Sequence, residues 1–329
     1  MFLHRLTKVH APEFPDNLVW VNGTPRTMRS MLGHPVLIDF WTYSCVNCLR
    51  TQPHLNDWHE RYAKLGLEII GVHTPEFSFE KRKENVEDAI GRLEIPYPVV
   101  LDNDYAVWNL YANRWWPRKF LVDHTGSIVY DHVGEGGYAD TEMEIQKTLA
   151  AIGVKKLPRI VKEADGSDGV CYRTTPETYL GYLRGRIANA GDVLPDAEEA
   201  FTDRGERADD SIVLHGHWRV SGEFVEHTRR LATASEYLVL TYSAFGVNLV
   251  MGSETGKTVE LDVELDGHPV PPDMAGADVV IVNGRARVKV NAARMYRLVK
   301  AGMYHRGTLK LSTADTGVRM FAFTFESCV

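Results

Sequence analysis

Cys45 and Cys48 stand three positions apart in the stretch Asp-Phe-Trp-Thr-Tyr-Ser-Cys-Val-Asn-Cys-Leu-Arg, residues 39–50, just after an apolar run. A dithiol that exchanges disulfides needs one exposed sulfur ionised near neutral pH and a second close enough to resolve the mixed disulfide. A helix N-terminus at Cys45 meets the first need, because unpaired N–H groups and the positive end of the helix dipole favour a thiolate. The two-residue spacer then puts Cys48 one turn along, about 5 Å in rise. Cys45 is expected to attack and Cys48 to resolve. The same spacing suits half a zinc site or two small buried hydrophobes. A structural zinc site asks for four ligands, and the chain's four cysteines supply no second close pair. His54 and His59 follow no common zinc spacing. Cys171 and Cys328 are isolated, and the sequence leaves their pairing open.

Three neighbours fit dithiol chemistry. Asp39 lies six positions before Cys45 within an apolar strand. Burial there would raise its pKa and let it exchange a proton with Cys48; an Asp at the strand edge facing water is the alternative. Pro53 falls inside the helical run and removes a backbone hydrogen bond. Pro117, in Arg-Trp-Trp-Pro-Arg-Lys-Phe, directly precedes a strand and is a candidate cis-proline. Trp41 is expected to form wall packing beside the active helix and to report optically on the disulfide.

These residues need a scaffold, and the first 150 or so positions alternate strand and helix signals. Strands are expected at 36–41, 67–72, 97–101, 119–123 and 127–132, and helices at 45–65, 80–93, 105–111 and 141–152. That order predicts an α/β unit with a mixed sheet. Residues 153–210 read as a linker and a mixed segment. From 211 to 329 short alternating strands follow, separated by turns such as Asp266-Gly267 and Asn283-Gly284, the pattern of an antiparallel β-sandwich.

Composition bounds the function. With 44% hydrophobic and 25% charged residues and a net charge of −7, the chain is an ordinary globular protein without a basic surface for nucleic acid. Its apolar runs are too short to span a bilayer. The stretch MFLHRLTKVHAPEFPDN lacks the apolar core of a secretory signal. The chain as written is expected in the cytoplasm, or in the periplasm or outside the cell if cut from a larger exported parent.

The motif D-F-W-x-x-x-C-x-x-C-x-x-x-x-P, with a later proline ahead of Phe-Leu-Val-Asp and a Gly turn, resembles the thioredoxin fold. More narrowly, WTYSCVNCLRTQPHL, GVHTPEF, YPVVLDND and GEGGY resemble the thioredoxin-like domain of the DipZ group within the TlpA/ResA-like oxidoreductases, over residues 10–152. The resemblance implies a cis-Pro117, and a Trp116–Pro117 segment that docks an incoming polypeptide through the Trp116 backbone. It also implies a buried glutamate in an extra central segment, at Glu76. TTPETYLGYLRGR and the closing FAFTF resemble the module that follows in DipZ-type proteins, a carbohydrate-binding-like jelly-roll sandwich. Members of that group carry a membrane electron-relay domain ahead of this pair and work outside the cytoplasm.

The expected function is a thiol–disulfide oxidoreductase with Cys45, Cys48, Asp39 and Glu76 as catalytic residues and Trp116, Pro117 and Trp41 at the substrate. Its partners would be protein disulfides or dithiols, an upstream electron donor or acceptor, and a glycan on the sandwich; neither cofactor nor metal is expected. The alternative is a glycan- or protein-binding module with a vestigial redox domain. His215 and His217 share a strand face but read as surface residues, and Asp165-Gly-Ser-Asp168-Gly as a linker turn. Trp218, Tyr237, Tyr242, Phe245 and Tyr304 could stack on sugar rings but sit at the spacing of strand core.

Overall fold

The computed structural model describes residues 9–160, 171–191, 194–254 and 256–327. The chain divides into two compact units, residues 1–168 and 169–329. In the first, strands β1 (Val19–Val21), β2 (Val36–Trp41), β3 (Glu68–His73), β4 (Val99–Leu101), β5 (Arg118–Val122) and β6 (Ile128–Val133) form one sheet in the order β1-β4-β3-β2-β5-β6. β2 runs parallel to β3 and antiparallel to β5. Side chains alternate along a strand, so Leu37 and Trp41 enter one core while Val36, Ile38 and Phe40 enter the other. Covered on both faces, β2 is apolar on both, and every one of its residues is buried.

Helices α1 (Val46–Tyr62), α2 (Lys83–Arg92), α3 (Ala106–Leu110) and α4 (Tyr138–Ala151) complete the unit. α1 contains Pro53 and buries Cys48, Leu55, Trp58 and Tyr62, one stripe at helical spacing. The helix expected from residue 80 is broken: a 3-10 turn covers Ser78–Lys81, Arg82 is extended, and α2 starts at Lys83. Glu80 caps the start of that turn: its carboxylate accepts the N–H groups of Glu76 and Phe77.

The second unit holds β7 (Thr178–Tyr179), β8 (Glu198–Phe201), β9 (Ile212–Val220), β10 (Val225–His227), β11 (Glu236–Ser253), β12 (Val259–Leu265), β13 (His268–Pro269), β14 (Val279–Val282), β15 (Arg285–Val290), β16 (Arg294–Thr313) and β17 (Val318–Glu326). They join in one hydrogen-bonded network, consistent with a β-sandwich. β11 pairs with β9 through its first half and with β17 through its second, and register shifts at 244–246 and 247–248 let it bend between the two. Those shifts break the alternation, which is why β11 and β16 each look like two short strands in the sequence. The segment expected to be linker contributes β7, paired to β17, and β8, paired to β9. The loop after β7 closes so tightly that a Cβ on Gly185 would lie 1.8 Å from the Tyr179 carbonyl oxygen.

Gly71 in β3 is a similar requirement beneath the dithiol. A Cβ there would meet Trp41 Nε1 at 3.0 Å, Val99 Cγ2 at 3.2 Å and Tyr97 Cε2 at 3.3 Å. Gly71→Ala is expected to cost about 1–3 kcal/mol by overpacking, read by urea unfolding. Gly91→Ala, in open space on α2, is expected to be neutral or to stabilise by up to about 1 kcal/mol. Equal effects of the two changes would contradict this packing.

Candidate active site

Cys45 is the N-cap of α1, with φ −74° and ψ 118°. Its sulfur accepts the Cys48 N–H at 3.3 Å and lies 3.9 Å from the Trp116 carbonyl oxygen. Both cysteines are free thiols, Cys45 half-buried and Cys48 buried. The Trp116–Pro117 peptide is cis. Trp116 is fixed by its indole N–H, which donates to Thr74 O at 3.0 Å, and by its ring, 4.3 Å from that of Trp108.

Asp39 lies in the middle of β2, on the face that meets α1, and is 1% exposed. Its Oδ1 accepts no hydrogen bond among the described residues. Burial pushes its carboxyl up to about 7, and the Lys119 ammonium pulls in the opposite direction. Burial also pushes the Cys48 thiol well up, with the Cys45 sulfur and the Asp39 charge adding to it. A buried carboxyl and a buried thiol that each disfavour charge are the pair between which a proton can be exchanged near neutral pH.

The buried glutamate is Glu80. Glu76, expected in that role, is half-buried, while Glu80 is fully buried four residues on. Ser44 Oγ donates to Glu80 Oε1 at 2.6 Å, and the N–H groups of Glu76 and Phe77 donate to Oε2 at 2.5 and 3.0 Å. Glu80 therefore ties the turn that precedes Cys45 to the segment after β3. Burial raises its carboxyl to about 7 despite these donors. The signal available in the sequence was the apolar pair Phe77 and Phe79 just before it, which makes this stretch an inward-folded turn rather than a surface loop.

Trp41 is not at the substrate surface: it is 2% exposed and packs edge-on against the His73 ring at 5.2 Å. His73 itself is buried, its Nε2 3.3 Å from Thr42 Oγ1, and burial pushes its imidazole down to about 3, so it is neutral. Lys119, also missed from the sequence, is fully buried opposite Asp39 on β5. Its signal was parity, since Lys119 and Leu121 alternate onto the same inward face.

In the second unit, His215 stacks on Tyr237 at 4.8 Å and His217 turns to Glu236, a buried carboxylate that also binds His227 Nε2 at 2.8 Å. Trp218, Tyr242 and Phe245 are buried and unavailable to a sugar ring; Tyr237 and Tyr304 are half-exposed. Cys171 is disulfide-bonded. Cys328 and the Asp165–Asp168 turn lie outside the described residues. Among the described residues no helix is long and apolar enough to cross a membrane.

Sheet order, a C-x-x-C at the start of α1 and a cis-proline beside it define a thioredoxin-like domain of the thiol–disulfide oxidoreductase class. Residues 7–149 match the family model described as redoxin, and residues 175–325 the one described as thioredoxin like C-terminal domain. Each of the two models thus matches within one of the two compact units. The proteins named DipZ from Mycobacterium bovis and Mycobacterium tuberculosis are each 36% identical to it over 273 residues, 81% of this chain and 38% of theirs. The chain therefore spans little more than a third of those relatives. Bacillus subtilis YkuV, named a thiol-disulfide oxidoreductase, is 26% identical over 42% of this chain and 93% of its own. The solution structure of a thioredoxin-like protein in its oxidized form is similar at 25% identity and a TM-score of 0.41, covering 44% of this chain and 97% of that one.

Asp39 gives this unit a pH dependence of defined sign. Its folded-state pKa is raised from 3.8 to about 7, so its contribution to stability is complete below about pH 4 and is lost as pH rises through 7. Unfolding free energy is expected to fall across that window, by at most about 1.4 kcal/mol per pH unit for this group. Asp39→Asn is expected to flatten the fall in denaturant titrations run at several pH values; an unchanged slope would refute it.

Proposed function

We propose that this chain exchanges disulfides with protein substrates through Cys45 and Cys48. The observation that carries the reading is the asymmetry of the pair: Cys45 is half-exposed at a helix N-cap, while Cys48 is buried one turn further on. Cys45 attacks one sulfur of a substrate disulfide and forms the mixed disulfide, releasing the other sulfur as a thiolate. Cys48, deprotonated by Asp39, then attacks Cys45, which frees the second substrate thiolate and leaves Cys45–Cys48 oxidised. Two electrons pass to the substrate; with an oxidised pair and a dithiol substrate the steps run in reverse. An extended substrate segment lies along Trp116 and Pro117, where the Trp116 carbonyl beside Cys45 is available to a backbone N–H. Glu80 holds the Ser44 turn and so the position of Cys45.

We place the chain in an oxidising compartment. The disulfide at Cys171 supports this, against the cytoplasmic expectation drawn from the missing secretory signal.

The test is trapping. Cys48→Ser is expected to accumulate covalent adducts with disulfide-bearing proteins such as insulin, released by dithiothreitol and visible by mass. Cys45→Ser is expected to form none and to lose at least about a hundredfold in turnover, in line with losing the nucleophile. Turnover that survives in Cys45→Ser would overturn the assignment.

A further inference from the structure

Arg114 and Trp115 lead into the Trp116 carbonyl that flanks Cys45, and neither takes part in the exchange steps above. Trp115 is 49% exposed, although tryptophan is on average a well-buried residue. Trp108 and Trp116 beside it pack ring to ring, with centroids 4.3 Å apart. Trp115 has a cation against its ring instead: the Arg118 guanidinium lies 5.5 Å from it and 4.3 Å from the Phe120 ring, and pairs with Asp131 at 2.8 Å. The backbone under Trp115 is fixed. Asn113, 4% exposed, accepts the N–H groups of Arg114 at 2.8 Å and Trp115 at 3.3 Å, and its Nδ2 donates to the Trp115 carbonyl at 3.2 Å. Thr74 holds the next residue: its carbonyl accepts the Trp116 indole N–H, and its hydroxyl donates to Asp102, whose carboxylate caps α3 under Trp108. An exposed tryptophan on a backbone held this firmly loses little freedom when a partner covers it, as interface anchors do.

Charge singles out the residue before it. Arg118 is paired with Asp131, and Arg50, two residues beyond Cys48, with Glu135 at 3.1 Å. Arg114 is exposed, and its guanidinium has no ion-pair partner among the described residues. We propose that Arg114 and Trp115 select the polypeptide: Trp115 covers an aromatic or aliphatic side chain, Arg114 pairs with a carboxylate, and the favoured substrates carry both beside the reacting cysteine. This rests on the dithiol reading above and names the class of chain which that site accepts. With a substrate N–H on the Trp116 carbonyl, the residues flanking the substrate cysteine run along 114–116, at about 3.3 Å of extended chain per residue. The net charge of −7 does not favour an acidic partner as a whole, so the preference is local to Arg114 and sensitive to salt.

The test uses the reduced protein and the acetylated, amidated peptides Glu-Phe-Cys, Glu-Gly-Cys and Lys-Phe-Cys, each joined through its cysteine to thionitrobenzoate. Cys45 attacks the peptide sulfur and thionitrobenzoate leaves as the coloured thiolate; Cys48 then attacks Cys45 and frees the peptide. Each rate is divided by that for mercaptoethanol joined to the same group, which offers neither residue a side chain. Glu-Phe-Cys is expected to react about tenfold faster than Glu-Gly-Cys, in line with an aromatic anchor. It should exceed Lys-Phe-Cys by about threefold at low salt, a difference that closes at about 0.5 M salt. Trp115→Ala is expected to bring the Phe-to-Gly ratio to about one, the anchor being gone. Arg114→Glu is expected to put Lys-Phe-Cys ahead of Glu-Phe-Cys, a reversal that mere loosening of the segment does not produce. Equal normalised rates for the three peptides with wild type, or ratios that survive in the two variants, would overturn the proposal. No release from the mercaptoethanol reference, or a peptide that stays bound to wild-type Cys45 by mass, would instead refute the dithiol reading itself.

Discussion

A carboxyl group in the middle of a fully buried strand is the constraint around which the first unit is arranged. Asp39 is 1% exposed, and among the described residues its Oδ1 accepts no hydrogen bond. Everything next to it answers that cost in a different way. Lys119 offsets it by charge from one neighbouring strand, and Gly71 on the other side leaves room for the Trp41 indole. The result is a buried compartment in which both the carboxyl and the Cys48 thiol are held toward their neutral forms. Such a pair is expensive as packing and useful as chemistry, because a proton moved between two disfavoured charges meets little net penalty.

A second buried carboxyl does mechanical work. Glu80 gathers Ser44 and two backbone N–H groups, joining the turn that ends in Cys45 to the segment after β3. The Cys45 sulfur is thus located from three directions: by the helix it caps, by the Glu80 anchor behind it, and by the cis-proline segment in front. Each comes from a separate part of the chain, so the site exists only when the sheet has brought β2, β3 and β5 together.

What the sequence disclosed follows from this. The dithiol, Asp39 and Pro117 were legible because each is a local departure from its surroundings: a cysteine pair at a strand end, an acid in an apolar run, a proline ahead of a strand. Glu80 was displaced to Glu76 because four residues separate them and only the inward fold of the turn decides between the two. Lys119 was overlooked for another reason: despite its parity with Leu121, a lysine in a short strand reads as solvent-facing until the register with β2 is known. In the second unit, the bulges of β11 hid one long strand as two, and β7 and β8 were too short to show any period against 153–210. Trp41 was read both as wall packing and as a substrate contact; strand alternation turns it inward, into the wall.

The central claim is that Cys45 and Cys48 form a reversible redox couple, and a redox titration tests it most directly. Tryptophan fluorescence, with Trp116 beside the Cys45 sulfur, would be followed across glutathione and dithiothreitol mixtures for wild type and Cys45→Ser. The account predicts one reversible two-electron transition, between roughly −270 and −120 mV as for dithiols of this kind, and its loss in Cys45→Ser. A flat response in wild type, or a transition that persists without Cys45, would contradict it.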